Sequence, residues 1–189
     1  MAKIGIKGLT YAPYSTGGEG NAITYSGGSQ LADYMVRADV NEERSDIEFY
    51  ADDKRIDAEN GITGVSIALE LANMTDDIEK KMLGYVTNSG DLDVTDKSSP
   101  YVGVGFYQKE RYKGAVSYNA IWVYKVQFSK DSDSTQTKGE SIDFQTNSLT
   151  GNAMGVTLTS GGNTVYYTKM RTTVESTAAA WLKTKGGIS

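Results

Sequence analysis

The chain has no cysteine and no histidine, and only two of its 189 residues are proline. Without cysteine there are no disulfides and no thiolate metal sites. Without histidine the most frequent general acid or base is missing. No apolar run approaches the ~18 residues of a membrane span. The absence of cysteine also fits a reducing compartment, and the opening Met-Ala-Lys-Ile-Gly-Ile-Lys shows no apolar core of a secretory leader. Basic residues are in deficit, 19 against 24 acidic, for a net charge of −5. A surface that wraps a phosphate backbone is therefore not expected, although an acidic protein can still handle nucleic acid by repelling it.

What is present points to strands. Apolar residues make up 39% and charged residues 23%, with 21 glycines and 13 tyrosines. This balance suits β-strands joined by tight turns in one domain, residues 1–189. Lys3–Tyr14 alternates around Ile4 and Ile6. From Ala32, the residues Tyr34, Val36, Ala38 and Val40 share one face and Asp33, Arg37 and Asp39 the other. The mixed-charge stretch Glu42–Glu59 turns at Asp52-Asp53, and Asn60-Gly61 is a further turn signal. Val65, Ile67, Leu69 and Leu71 form a second apolar face. Tyr101–Tyr112 and Ala115–Lys130 are strands around a Lys113-Gly114 turn. Ser141–Thr146, Ala153–Thr159 and Thr164–Arg171 complete the set, with a turn at Ser160–Asn163.

Thr75 is placed to cap a helix, with Asp76 and Asp77 in its first turn, Lys80 and Lys81 in its last, and Gly84 after it. Met74, Ile78, Met82 and Leu83 give that helix one buried face. Glu175–Lys183 reads as a short second helix.

Candidate chemistry is thin. Asp91-x-Asp93-x-Thr95 and Asp131-x-Asp133-x-Thr135 begin like calcium loops. They carry Asp96 and Gln136 where the loop needs glycine, and Val102 and Ile142 where it needs glutamate. Gly64-Val-Ser-Ile-Ala68 has nearly the spacing of a nucleophile elbow, but Ser66 lies inside an alternating strand and no histidine exists to serve as base. Gly103-Val-Gly105 lacks the third glycine of a dinucleotide fingerprint and instead suggests close approach of another backbone. Asp91–Ser99 reads as a polar loop. No enzyme activity, cofactor or metal site is expected.

The strand from Ala115 to Lys130 is exceptional. Tyr118, Ala120, Trp122, Tyr124, Val126 and Phe128 alternate onto one face, and Ile121 and Val123 are apolar on the other. Sixteen residues span about 50 Å, against ~17–20 Å for a common strand. The aromatic face suits core packing or a subunit interface; a strand apolar on both faces must be covered on both, and the expectation is burial by neighbouring copies, with Trp122 and Tyr124 as interface candidates.

Several of these segments carry a resemblance. Tyr50-Ala-Asp-Asp-Lys54, Met82-Leu-Gly84, Pro100-Tyr-Val-Gly-Val-Gly-Phe-Tyr107, Ile121-Trp-Val-Tyr-Lys-Val-Gln-Phe-Ser129, Thr137-Lys-Gly-Glu-Ser-Ile-Asp-Phe-Gln-Thr146 and Ala178-Ala-Ala-Trp-Leu182 occur in order over most of the chain. Together they resemble the major tail proteins, the tail tube proteins, of long-tailed phages that infect Gram-positive bacteria. The resemblance implies a mainly β, tail-tube-type β-sandwich with one flanking α-helix, a long extended hairpin and a short C-terminal helix. It implies a structural virion protein, assembled in the host bacterial cytoplasm as hexameric rings stacked into a tube through which DNA passes without specific binding. Tape measure, tail terminator and distal tail proteins are the implied partners, and no membrane is. On that reading Arg44, Tyr50, Asp53, Lys54, Arg55, Trp122 and Tyr124 are candidates for the subunit interface. Glu48, Asp52, Glu70 and Asp143 are candidates for an acidic lumen. The main alternative is a carbohydrate-binding β-sandwich, which requires an exposed aromatic platform.

Overall fold

A computed structural model describes residues 2–31, 34–51, 54–130 and 146–188. In chain order the strands are β1 (Ala2–Thr16), β2 (Thr24–Tyr25), β3 (Ser29–Leu31), β4 (Met35–Ala51) and β5 (Lys54–Leu71). Helix α1 (Asp76–Ile78) follows and continues as a π-helical turn over Glu79–Leu83. Then come β6 (Val86–Asn88), β7 (Asp91–Asp93), β8 (Tyr101–Tyr112), β9 (Ala115–Lys130) and β10 (Asn147–Ala153). Short strands β11 (Val156–Thr157) and β12 (Thr164–Val165) precede β13 (Tyr167–Thr172) and helix α2 (Glu175–Lys185).

The main sheet has nine strands in the order β2-β1-β8-β9-β10-β5-β4, with β3 added to β1 and β13 to β9. The sheet curls far enough for β1 and β4 to come into contact. The result is a sandwich-like, mainly β fold with two short helices. Inside the curl lies the larger core, built from Leu9 and Tyr11 of β1, Val65, Ile67, Leu69 and Leu71 of β5, Phe106 of β8 and Leu149 of β10. Alternation puts every second residue of β5 there, as its period-two pattern requires.

The α1 turn plugs this core. The N–H of Ile78 donates to Thr75 Oγ1 at 3.4 Å, and the helix ends at Gly84, whose φ of 80° suits glycine. Ile78, Met82 and Leu83 are buried against the sheet. Glu79 pairs with Lys130 at 3.5 Å, fixing the turn to the end of β9. On its other side the Tyr11 hydroxyl donates to Asp77 at 2.6 Å, and Lys81 approaches the same carboxylate at 2.9 Å.

Burial works against the charge on Asp77, but the Tyr11 and Lys81 donors outweigh it and hold the carboxyl below its ordinary value. The unfolded chain therefore binds this proton more readily than the folded one. The stabilisation is full above the unfolded carboxylate pKa of ~3.9 and is lost as pH falls through the depressed folded value. Urea titrations across that acid window should show a steeper loss of stability for wild type than for Asp77→Asn. Equal pH dependence in the two proteins would remove Asp77 from this role.

Strand β9 departs from simple alternation. Val102 pairs with Val126 and Val104 with Val123, so Tyr124 and Lys125 together oppose Gly103. This bulge reverses the facing of everything beyond it. Ala120, Trp122 and Tyr124 point toward α2, whereas Val126 and Phe128 turn back into the larger core with Ile121 and Val123. The other edge of β9 changes partner at the same place, from β13 at Tyr118–Val123 to β10 at Val126–Lys130. Both faces are thus covered within one chain, and the expected burial by neighbouring copies is not what the strand requires.

Other sequence expectations are corrected similarly. Asn60-Gly61 makes no turn: Asn60 pairs with Asp46 and Gly61 with Ser45 inside one continuous hairpin. Val36 lies at a bulge, between the pairs Met35–Leu71 and Arg37–Glu70, and is 49% exposed rather than on the core face. Asp91 and Asp93 form a strand paired with Val86–Asn88, not an open loop. Strand β10 begins at Asn147, not Ala153. Segment Ser141–Gln145 and the Asp131–Thr135 motif lie outside the described residues.

Candidate assembly surfaces

Trp122 marks a second core, and its surroundings explain the aromatic and small residues nearby. It is fully buried. Its indole N–H donates to Tyr25 Oη at 3.2 Å, and the Tyr25 hydroxyl donates to the Tyr124 carbonyl at 2.7 Å. A Cβ on Gly103 would stand 2.5 Å from the indole, and one on Gly105 would stand 2.6 Å from it. The glycine pair of β8 therefore admits the indole and, at Gly105, also the backbone carbonyl of Ile121, which such a Cβ would approach to 2.8 Å. Helix α2 closes this core with Ala178 and Leu182. Trp122 consequently has no surface to offer another subunit and Tyr124 is only 6% exposed, a correction to the interface expected from their alternation. The exposed aromatic platform of a carbohydrate-binding module is also missing from this strand.

The outer face of β4, β5, β10 and β9 is a different kind of surface. Its register gives cross-strand rows: Arg37, Glu70, Ser148; Asp39, Ala68, Thr150, Ser129; Asn41, Ser66, Asn152, Gln127. Each row alternates with a core-facing row such as Val40, Ile67, Gly151, Phe128. The side chains are short and mostly uncharged. Arg37 is neutralised by Asp39 at 2.7 Å, and Glu70 accepts from the Thr146 hydroxyl. Glu70, a predicted lumen residue, thus lies on this face. Ser148, Thr150 and Asn152 join this face because β10 begins at Asn147, ahead of the expected strand start at Ala153. The alternation of Leu149, Gly151 and Ala153 was the signal that could have found it.

The third surface is the β4–β5 hairpin. Only Val65–Leu71 of β5 pairs with β10, so from Gly64 outward to the Ala51–Lys54 pair the two strands ladder only with each other among the described residues, with the Tyr166 hydroxyl donating to the Thr63 carbonyl at 3.2 Å near the base. At ~3.4 Å per residue this two-stranded ribbon is about 30 Å long. Arg44, predicted at the subunit interface, sits at its base and pairs with Glu42 at 2.6 Å. Glu42 also accepts from the Tyr167 hydroxyl. That bond is the main cause, with burial second, that pushes Tyr167 up to about 12, while Glu42 titrates below the ordinary range. The backbones of Glu48 and Tyr50 lie in β4, and those of Lys54 and Arg55 in β5. Asp52, Asp53 and Asp143 lie outside the described residues.

A family model described as phage tail tube protein matches residues 41–182, from the base of the ribbon to α2. The chain belongs to the phage tail tube protein family. No curated protein matches it. This tail tube protein is a structural component of the virion, not an enzyme, and its family is one of self-assembly into a tube. Among the described residues, no helix is long and apolar enough to cross a membrane.

Proposed function

We propose that six copies of this tail tube protein close into a ring, that rings stack into a hollow tube, and that the phage genome passes through its lumen. The polar outer face of β4, β5, β10 and β9 is the observation that supports this reading. DNA in transit needs a wall without cationic holding points, because each lysine–phosphate contact adds salt-dependent affinity. The rows described above present small hydroxyl and amide groups, with Arg37 already paired. They line the channel in this reading, with Glu70 among the repelling carboxylates and Glu48, Asp52 and Asp143 as further candidates. Among the described residues, strand β4 ends the sheet and carries an unpaired edge, which a copy beside it would satisfy.

Tape measure protein inside the tube, terminator and distal tail proteins at its ends, assembly in the host bacterial cytoplasm, and a Gram-positive host complete the reading. Negative-stain electron microscopy over a concentration series, with sedimentation alongside, should show six-fold rings and hollow tubes. Rings of another symmetry would overturn the hexamer. Solid fibres would overturn the lumen.

A further inference from the structure

Where β8 runs on past Phe106, the larger core gives way to polar rows. Across β8, β9 and β13 the row Phe106, Ile121, Lys169 is followed by Gln108, Asn119, Arg171. Phe106 and Ile121 belong to the core, and alternation puts Gln108 and Asn119 on the same side. Between these residues and β4 lies a cleft of about 550 Å³, lined also by Lys3, Val40 and Glu42. That is room enough for a small ligand. Gln108 is 7% exposed, and its Oε1 has no hydrogen-bond donor among the described residues. A buried acceptor without a donor costs free energy, so this atom calls for a partner from outside the chain.

Charge in the cleft is unevenly matched. Its carboxylates are taken, Asp39 by Arg37 at 2.7 Å, and Glu42 by Arg44 at 2.6 Å and by the Tyr167 hydroxyl. Beside it, Arg171 holds Glu110 at 3.3 Å. Lys3 and Lys169 are exposed, and neither has a carboxylate within ion-pair distance among the described residues. Lys169 instead lies 4.8 Å from the centre of the Tyr167 ring. Two ammonium groups and one buried amide are thus left over. Ammonium groups attract an oxyanion as point charges. An amide is met well by a hydroxyl, which can both donate and accept. Val40 and Ile121, also in the lining, are apolar and suit the C–H face of a carbon chain.

We propose that this cleft binds a small polyol phosphate, with its phosphate held by Lys3 and Lys169 and one hydroxyl donating to Gln108 Oε1. Asn119, directly across the ladder from Gln108, supplies a second amide to the same wall. A bare oxyanion would leave Gln108 unmet, and a neutral sugar would leave both ammonium groups unmet. Gln108 and Asn119 face into the curl, whereas Ser148, Thr150 and Asn152 face out of it. The site is therefore separate from the wall proposed to pass DNA, and it does not rest on the tube.

Equilibrium dialysis of the full chain against labelled glucose 6-phosphate tests this, and it reads free subunits and assembled tubes alike. At about 0.05 M salt a dissociation constant of about 1 mM or below is expected. Glucose and inorganic phosphate should each bind about tenfold more weakly. Lys3→Gln with Lys169→Gln should weaken glucose 6-phosphate about tenfold as well. Gln108→Leu should narrow its advantage over inorganic phosphate, and should leave urea stability unchanged or raised, because it removes an unmet buried acceptor. No binding at about 10 mM ligand, inorganic phosphate binding as tightly, or undiminished binding to the lysine double variant would each overturn the site. Should a variant fail to fold, acetylation of the wild-type protein decides instead. Glucose 6-phosphate should slow acetylation of Lys3 and Lys169 and leave that of the exposed Lys113 unchanged. Equal rates at Lys3 and Lys169 with and without the ligand would overturn the site.

Discussion

Trp122→Ala should destabilise the isolated subunit by about 3–5 kcal/mol, among the larger losses a single core truncation produces. The indole is wholly buried, lies over Gly103 and Gly105, and ties β2 to β9 through Tyr25. The two glycines have no side chains to extend into its place, and Leu182 already packs against Gly105. Helix α2 should loosen with the loss, exposing the C-terminal segment to protease before the sheet opens. Trp122→Phe keeps most of the ring volume and loses the Tyr25 bond, so a smaller loss is expected. Urea unfolding of the monomer is the measurement. A variant with unchanged monomer stability and failed assembly would instead return Trp122 to a subunit interface.

Lysines at Ser148 and Asn152 should turn a tube that passes DNA into one that holds it. Both side chains are exposed on the central strand of the polar face, away from the core and the sheet edges, so folding and assembly should survive. Every copy then adds two cations to the lumen wall of the proposed tube. Binding should fall steeply with salt, log affinity dropping with log salt by ~0.9 for each phosphate neutralised. Filter binding of short duplexes to assembled tubes, from low to physiological salt, reads this directly, with wild-type tubes giving no retention. Variant tubes that form normally and bind no DNA would place this face on the outside.

Where periodicity was uninterrupted, the sequence was informative. Val65 to Leu71, the Lys113-Gly114 turn, the Thr75 cap and the Gly84 stop all lie where pattern and turn chemistry put them. The misplaced facing of Val36 and of β9 has one cause, which is a residue inserted into a ladder. A bulge changes facing without changing composition, so nothing in Val36 or in Tyr124-Lys125 announces that alternation breaks there. The same blindness made β9 look too apolar for a single chain. Asn60-Gly61 failed for the opposite reason: a strong local turn preference was overridden by cross-strand pairing with Asp46 and Ser45.

The hairpin's attachment has a mechanical consequence. Antiparallel hydrogen bonds run perpendicular to the strands they join. A pull along the ribbon reaches the body through the ladder of β5 with β10, which runs from Leu71–Asn147 to Val65–Ala153. That load falls on all its rungs at once, in shear. A sideways force at the tip would peel them in sequence from Val65 inward. The joint is therefore stiff to tension along the strands and yielding to bending across them, the combination a long filament needs to flex without coming apart.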